Sequence, residues 1–80
     1  MKTTLLLFGF AADLADSSSL ILELPNKSTV ANFKEFLLAE FPELQKMSSY
    51  AVAINESYAT DDIIIKENDV IAIIPPVSGG

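Results

Sequence analysis

The chain has 80 residues, half of them hydrophobic, which suits one small domain that folds around a single core. It contains no Cys and no His, so we exclude disulfides, thiolate catalysis and the imidazole that usually serves as general base or metal ligand, and we expect no ordinary enzyme active site. The net charge of −6, with no Arg, disfavours nucleic acid as a partner because phosphate binding needs a basic surface, and it favours a protein partner with a basic groove.

Two strands are predicted near the start of the chain. Residues 3–8 and residues 20–24 are rich in Leu, and in the second segment the leucines occupy alternate positions. The more polar residues 11–19 between them are predicted to be a loop. The apolar run over residues 5–10 is too short for a signal peptide or a membrane span. We therefore expect a cytoplasmic protein that does not associate with membranes.

One long helix is predicted over residues 30–40. Four apolar residues recur along it at helical spacing: Val30, Phe33, Leu37 and Phe41. Ser28 or Thr29 supplies the N-cap, since both side chains can accept a hydrogen bond from the first turn. Pro42 is predicted to end the helix, and a loop follows it.

Three further strands are predicted after this loop: residues 51–54, a short stretch around Tyr58, and residues 70–74. Polar turns at residues 55–57 and 66–69 precede the second and the third of them. The order strand, strand, helix, strand, short strand, strand predicts an α+β fold. In this fold a mixed sheet of four to five strands packs on one main helix.

Asp61 and Asp62 are adjacent carboxylates, the ligand type that hard metal ions prefer. Further ligands are not found near them in the sequence, and two neighbouring acidic residues are more typical of a solvated turn. We interpret them as a turn and predict no metal site.

The first and last strands are apolar on both faces, whereas one helix covers only one face of a sheet. Four side chains are assigned to the helix side: Leu5, Leu7, Ile71 and Ile73. The opposite face then carries the predicted partner-binding residues Leu6, Phe8, Tyr58, Ala72 and Ile74. A second protein is predicted to cover this face, since exposed apolar patches usually mark interaction sites. The alternative is that residues 11–19 or the segment around Tyr50 fold over it.

The last residues are predicted to form a flexible tail, residues 78–80, beyond a domain of residues 1–77. Pro75 and Pro76 cannot continue a strand or a helix, because proline lacks the N–H and fixes φ. Gly79 and Gly80 have no side chains, so they could pass through a narrow channel in another protein. The reactive group would then be the α-carboxylate of Gly80. The alternative is a frayed end without a function.

Two segments carry a resemblance to a known family. Residues 66–80, with the Pro-Pro-Val-Ser-Gly-Gly ending, and residues 51–55, Ala-Val-Ala-Ile-Asn, are similar to the small, sulfur-carrier subunit of molybdopterin synthase. This family has the ubiquitin-like β-grasp fold, and the order of predicted elements resembles it along the whole chain. The middle of the chain, including the helix, is similar only in pattern.

The resemblance implies a carrier cycle that needs no catalytic side chain and no bound cofactor. A ubiquitin-activating-type adenylating enzyme would use ATP to activate Gly80, and a persulfide donor would convert it to a thiocarboxylate. Gly79 would thread the channel of the large subunit of molybdopterin synthase, in a heterotetrameric complex, where the sulfur would help to build the dithiolene of molybdopterin. The path of the tail would be set by Ser78, Val77, Pro76 and Pro75.

Three other functions stay open. A sulfur carrier of the thiamine pathway shares the fold, the activation and the two glycines, although the lead-in over residues 75–78 argues against it. A ubiquitin-like protein modifier would instead form an amide bond between Gly80 and lysines of other proteins. A scaffold, in which the tail has no role, would leave the ending unexplained.

Overall fold

A computed structural model of the chain describes residues 1–47 and 49–75. The elements in these ranges are β1 (Lys2–Leu7), α1 (Gly9–Ala15), β2 (Ser19–Glu23), α2 (Val30–Glu40), a 3-10 helix (Pro42–Lys46), β3 (Ala51–Ile54), β4 (Ser57–Tyr58) and β5 (Val70–Ile74). The strands form one sheet in the order β2-β1-β5-β3-β4. Because β5 is parallel to β1 and the other neighbours are antiparallel, the predicted α+β class with a mixed sheet is confirmed.

The core lies between the sheet and α2. From the sheet, β1 contributes Leu5 and Leu7 and β5 contributes Ile71 and Ile73, all of them buried. From α2, three residues at helical spacing join the same cluster: Val30, Phe33 and Leu37. The predicted assignment of these strand residues to the helix side is therefore confirmed. Alternation along each strand places their neighbours on the opposite face, which we call the outer face.

The helix α2 has the predicted bounds, and Thr29 is its N-cap. The Thr29 hydroxyl accepts a hydrogen bond from the Asn32 N–H at 3.2 Å, and the Asn32 side chain accepts one from the Thr29 N–H at 3.1 Å. This reciprocal capping box satisfies two backbone donors at the helix start. Two more are satisfied by carbonyl groups of the loop before β5, since Val30 and Ala31 donate to Ile63 and Asp61.

The prediction of a loop over residues 11–19 is wrong, because α1 occupies Gly9–Ala15. Ala11 is fully buried in the core, and Leu14, one helical turn later, is partly buried against it. An isolated helix of seven residues is unstable in water, so packing against the core stabilises it. Since Ala11 belongs to the core cluster, α1 lies on the inner side of the sheet and does not cover the outer face.

The prediction of a loop after Pro42 is also wrong, because a 3-10 helix begins there. Proline suits the first helical position, where its missing N–H costs nothing, and Leu44 anchors the turn in the core. The first two strands begin and end one residue earlier than predicted. Among the described helices, none has the length and hydropathy needed to cross a membrane.

Candidate functional site

The strand that leads to the predicted tail lies in the middle of the sheet. The central strand β5 lies between β1 and β3, with Ile73 paired to Leu7 and Ile74 paired to Ala51. Pro75, which we call the tail base, follows directly and is partly buried. The other residues predicted to thread or react lie outside the described residues, so their roles stay predictions: Pro76, Val77, Ser78, Gly79 and Gly80. The same holds for the predicted boundary between domain and tail.

Gly9 lies beside the point where the tail begins. Its φ is +52°, in the left-handed region that residues with a Cβ adopt only under strain. A Cβ added at Gly9 would lie 3.6 Å from Cγ of Pro75. The turn at Gly9 joins the extended Phe8 to α1, and the parallel pairing of Leu7 with Ile73 brings the end of β1 next to Pro75. This glycine was not predicted as a site residue. The signal that could have identified it is its position between two phenylalanines directly after an apolar strand.

The outer face brings together the residues predicted to bind a partner. Tyr58 is paired with Ala53, Ala53 with Ala72, and Ala72 with Leu6. Paired residues share a face, so these four side chains form one row across the sheet. Ala72 and Ala53 lie at the centre of this row. Because their side chains are small, the surface between Leu6 and Tyr58 is a shallow depression.

The remaining predicted partner-binding residues lie toward the tail base. Ile74 is two residues beyond Ala72 on β5 and therefore shares its face. Phe8 follows the end of β1 and is 49% exposed, and Tyr58 at the sheet edge is 76% exposed. Neither predicted alternative covers this face, because α1 and Tyr50 both pack against the core cluster. Whether a partner binds these residues stays a prediction.

A groove of about 310 Å³ lies at the opposite end of the outer face from the tail base. Leu6 and Val70 form its apolar wall, and the turn between β3 and β4 supplies Asn55 and Glu56. Both turn residues have positive φ, +50° and +73°, as two-residue turns between antiparallel strands require. The groove therefore suits an apolar side chain with a basic group near Glu56. The sequence pattern did not reveal it, since it forms only when distant strands pair.

The turn predicted at Asp61 and Asp62 is confirmed, and both carboxylates are exposed. Asp61 is 2.7 Å from Nζ of Lys34. Asp62 accepts a hydrogen bond from the Thr60 hydroxyl, which lowers the pKa of the Asp62 carboxyl. Among residues 1–47 and 49–75, no group of three or more Asp or Glu side chains lies close enough together to hold a metal ion.

Comparison with known proteins places the chain in a family. A sequence model of the ThiS family matches residues 5–80 of this chain. The molybdopterin synthase sulfur carrier subunit of Arabidopsis thaliana is 42% identical over 81 residues, covering 100% of this chain and 84% of that protein. The subunit of the same name from Dictyostelium discoideum is 36% identical, covering 95% of this chain and 93% of that protein.

Solved structures show the same fold. The crystal structure of SAMP1 from Haloferax volcanii matches with a TM-score of 0.88 at 24% identity, and both chains are fully covered. A protein-protein complex of subunits 1 and 2 of molybdopterin-converting factor from Helicobacter pylori contains a chain that matches with a TM-score of 0.72 at 22% identity, again over the full length of both chains.

These findings confirm the resemblance predicted from the two segments. The predicted β-grasp fold is likewise confirmed. The chain belongs to the ThiS family.

Proposed function

We propose that the chain carries sulfur as a thiocarboxylate on Gly80 and delivers it to the large subunit of molybdopterin synthase. The observation that carries this proposal is the position of the tail base. The central strand leads directly to Pro75, and five residues ending in Gly79 and Gly80 follow it. The relatives named as sulfur carrier subunits support the choice of sulfur as cargo. The complex of subunits from Helicobacter pylori supports the large subunit as acceptor.

The proposed cycle uses the terminus and no side chain of this chain. The Gly80 carboxylate attacks the α-phosphate of ATP on the adenylating enzyme, and pyrophosphate leaves. The terminal sulfur of a persulfide then attacks the acyl carbon and displaces AMP, and a thiol cleaves the resulting S–S bond to release the thiocarboxylate. The thiocarboxylate sulfur then bonds to a carbon of the pterin precursor as a C–O bond at that carbon breaks, and hydrolysis of the resulting thioester leaves sulfur on the acceptor and restores the carboxylate. ATP is consumed by the activating enzyme, and no cofactor binds to the chain itself.

The outer face is the proposed docking surface for this delivery. Leu6, Ala72 and Ile74 are only partly buried, and Phe8 and Tyr58 are more exposed. A protein that covers them would bury apolar area at about 25 cal/mol per Å². The large subunit and the adenylating enzyme are the two proposed partners, and the cytosol is the proposed location of the cycle.

Removal of Gly79 and Gly80 tests the proposal. We expect the shortened chain to fold as the full chain does, because the described core does not include these residues. Sulfur transfer to the large subunit, measured as molybdopterin formed after charging with ATP and a sulfur donor, should be lost. The matched control is Glu35→Gln, a substitution at an exposed position of α2, which should leave transfer unchanged. Transfer at the wild-type level by the shortened chain would refute the carrier role of Gly80.

A further inference from the structure

We infer that Phe8 and Phe10, which flank Gly9, are anchors for the rim of the channel that receives the tail. We call these two residues the aromatic pair. The inference rests on the proposed function and adds a contact to it. Phe10 lies on α1 and outside the predicted partner-binding set, whereas Phe8 belongs to that set.

The length of chain between Pro75 and Gly80 limits how far the partner's active site can lie from Pro75. Five residues, 76–80, follow Pro75, and a fully extended chain of that length spans at most about 18 Å. A protein that reacts with Gly80 must therefore place its active site within about 18 Å of Pro75 and enclose the residues between them. The rim of its channel comes close to whatever lies beside Pro75.

Gly9 lies beside Pro75. A Cβ placed at Gly9 would be in van der Waals contact with the Pro75 ring, 3.6 Å from its Cγ. Phe8 and Phe10 are the chain neighbours of Gly9, and they are 49% and 50% exposed. Two large, half-exposed aromatic residues therefore directly flank the glycine that lies beside Pro75.

The exposure of both rings indicates the chemistry of the partner surface. A half-exposed phenylalanine offers a large apolar area with little side-chain entropy to lose, which is why aromatic residues dominate binding energies at interfaces. Phe8 also belongs to the outer face, so the aromatic pair extends the proposed docking surface around the tail base. The partner is the large subunit of molybdopterin synthase, with an aliphatic or aromatic rim at the opening of its channel. The net charge of −6 favours basic residues outside that rim.

The test measures binding of the full chain to the purified large subunit by titration calorimetry. Phe10→Ser should weaken binding at least tenfold, about the loss expected for an interface anchor. The matched control is Ile64→Ser, since Ile64 is 54% exposed but bridges to Thr29 at the start of α2, away from the outer face. It should change affinity less than about threefold. Circular dichroism of each variant verifies that it is folded.

A second measurement needs no variant and covers the case in which Phe10→Ser does not fold. Hydroxyl-radical footprinting of the wild-type chain, read by mass spectrometry, should show Phe8 and Phe10 protected in the complex and Ile64 unprotected. Equal binding by Phe10→Ser and wild type, or an unprotected Phe10 in the complex, overturns the inference while the carrier function stands. If the wild-type chain itself neither binds the large subunit nor transfers sulfur, the proposed function and the inference are both overturned.

Discussion

Asn55 and Val70 are joined by two hydrogen bonds. The Asn55 N–H donates to the Val70 carbonyl at 2.8 Å, and the Val70 N–H donates to Oδ1 of Asn55 at 3.0 Å. The side-chain amide nitrogen of Asn55, Nδ2, also donates to a carboxylate oxygen of Asp69 at 2.9 Å. One side chain therefore fixes the turn after β3 to the start of the central strand. The same contacts shape the groove at that end of the outer face.

Replacement of Asn55 should destabilise the domain through two separable effects. Asn55→Ala loses the side-chain hydrogen bonds and places a poorly suited residue at a φ of +50°, so we expect a loss of about 2 to 3 kcal/mol in the free energy of unfolding. Asn55→Gly loses the same hydrogen bonds but tolerates the positive φ, and should cost only about 1 to 2 kcal/mol. Urea unfolding measures both. An Ala variant as stable as the Gly variant would show that the backbone conformation contributes nothing.

The same substitution at two neighbouring residues at the end of β1 should affect different properties, partner binding at one and folding at the other. Phe8→Asp introduces a charge at a half-exposed position and should change the free energy of unfolding by about 1 kcal/mol or less, while it weakens binding to the large subunit. Leu7→Asp buries that charge in the core, where Leu7 is 2% exposed, and should prevent folding. Thermal unfolding and titration calorimetry distinguish the two. Unfolding of the Phe8 variant would show that this ring belongs to the core.

Tyr50 should make the domain less stable at alkaline pH. Burial raises the pKa of its phenol above the usual value of 10.0, an effect that Lys34 partly offsets and Asp61 reinforces. The folded protein therefore holds this proton more tightly than the unfolded chain. The resulting stabilisation is fully present below the unfolded pKa and is lost as pH rises through the folded pKa.

Tyr50→Phe removes this titration, so the free energy of unfolding should fall less steeply with pH in the variant than in the wild type. Urea unfolding from about pH 9 to about pH 11 measures the difference. Measurements near neutral pH serve as the control, because the phenol is protonated in both states there. Parallel curves for the two proteins across the alkaline range would contradict the assignment.

The elements with a strong periodic pattern could be predicted from the sequence. The long helix and the strands β3 and β5 have the predicted bounds, since each carries its own apolar repeat and ends at a proline or a polar turn. The first helix could not be predicted in the same way. Its seven residues are too few for a clear repeat, and the burial of Ala11, which stabilises them, depends on distant parts of the chain.

The candidate site, like the fold, could be predicted from the sequence only in part. Alternation along two strands was sufficient to place Leu6, Ala72 and Ile74 on the face away from the helix. The proximity of Gly9 to Pro75 could not be predicted from the sequence, because these residues are near opposite ends of the chain and come together only when β1 and β5 pair in parallel.

The central claim is that Gly80 carries sulfur, and the intact mass of the chain tests it most directly. After incubation with ATP, an adenylating enzyme and a sulfur source, the mass should rise by one oxygen-for-sulfur exchange. The product should then react with a thiol-selective alkylating reagent, and since the chain contains no Cys, the reacting group can be assigned to the terminus. An unchanged mass under these conditions, or only amide-linked adducts between Gly80 and lysines of other proteins, would contradict the claim.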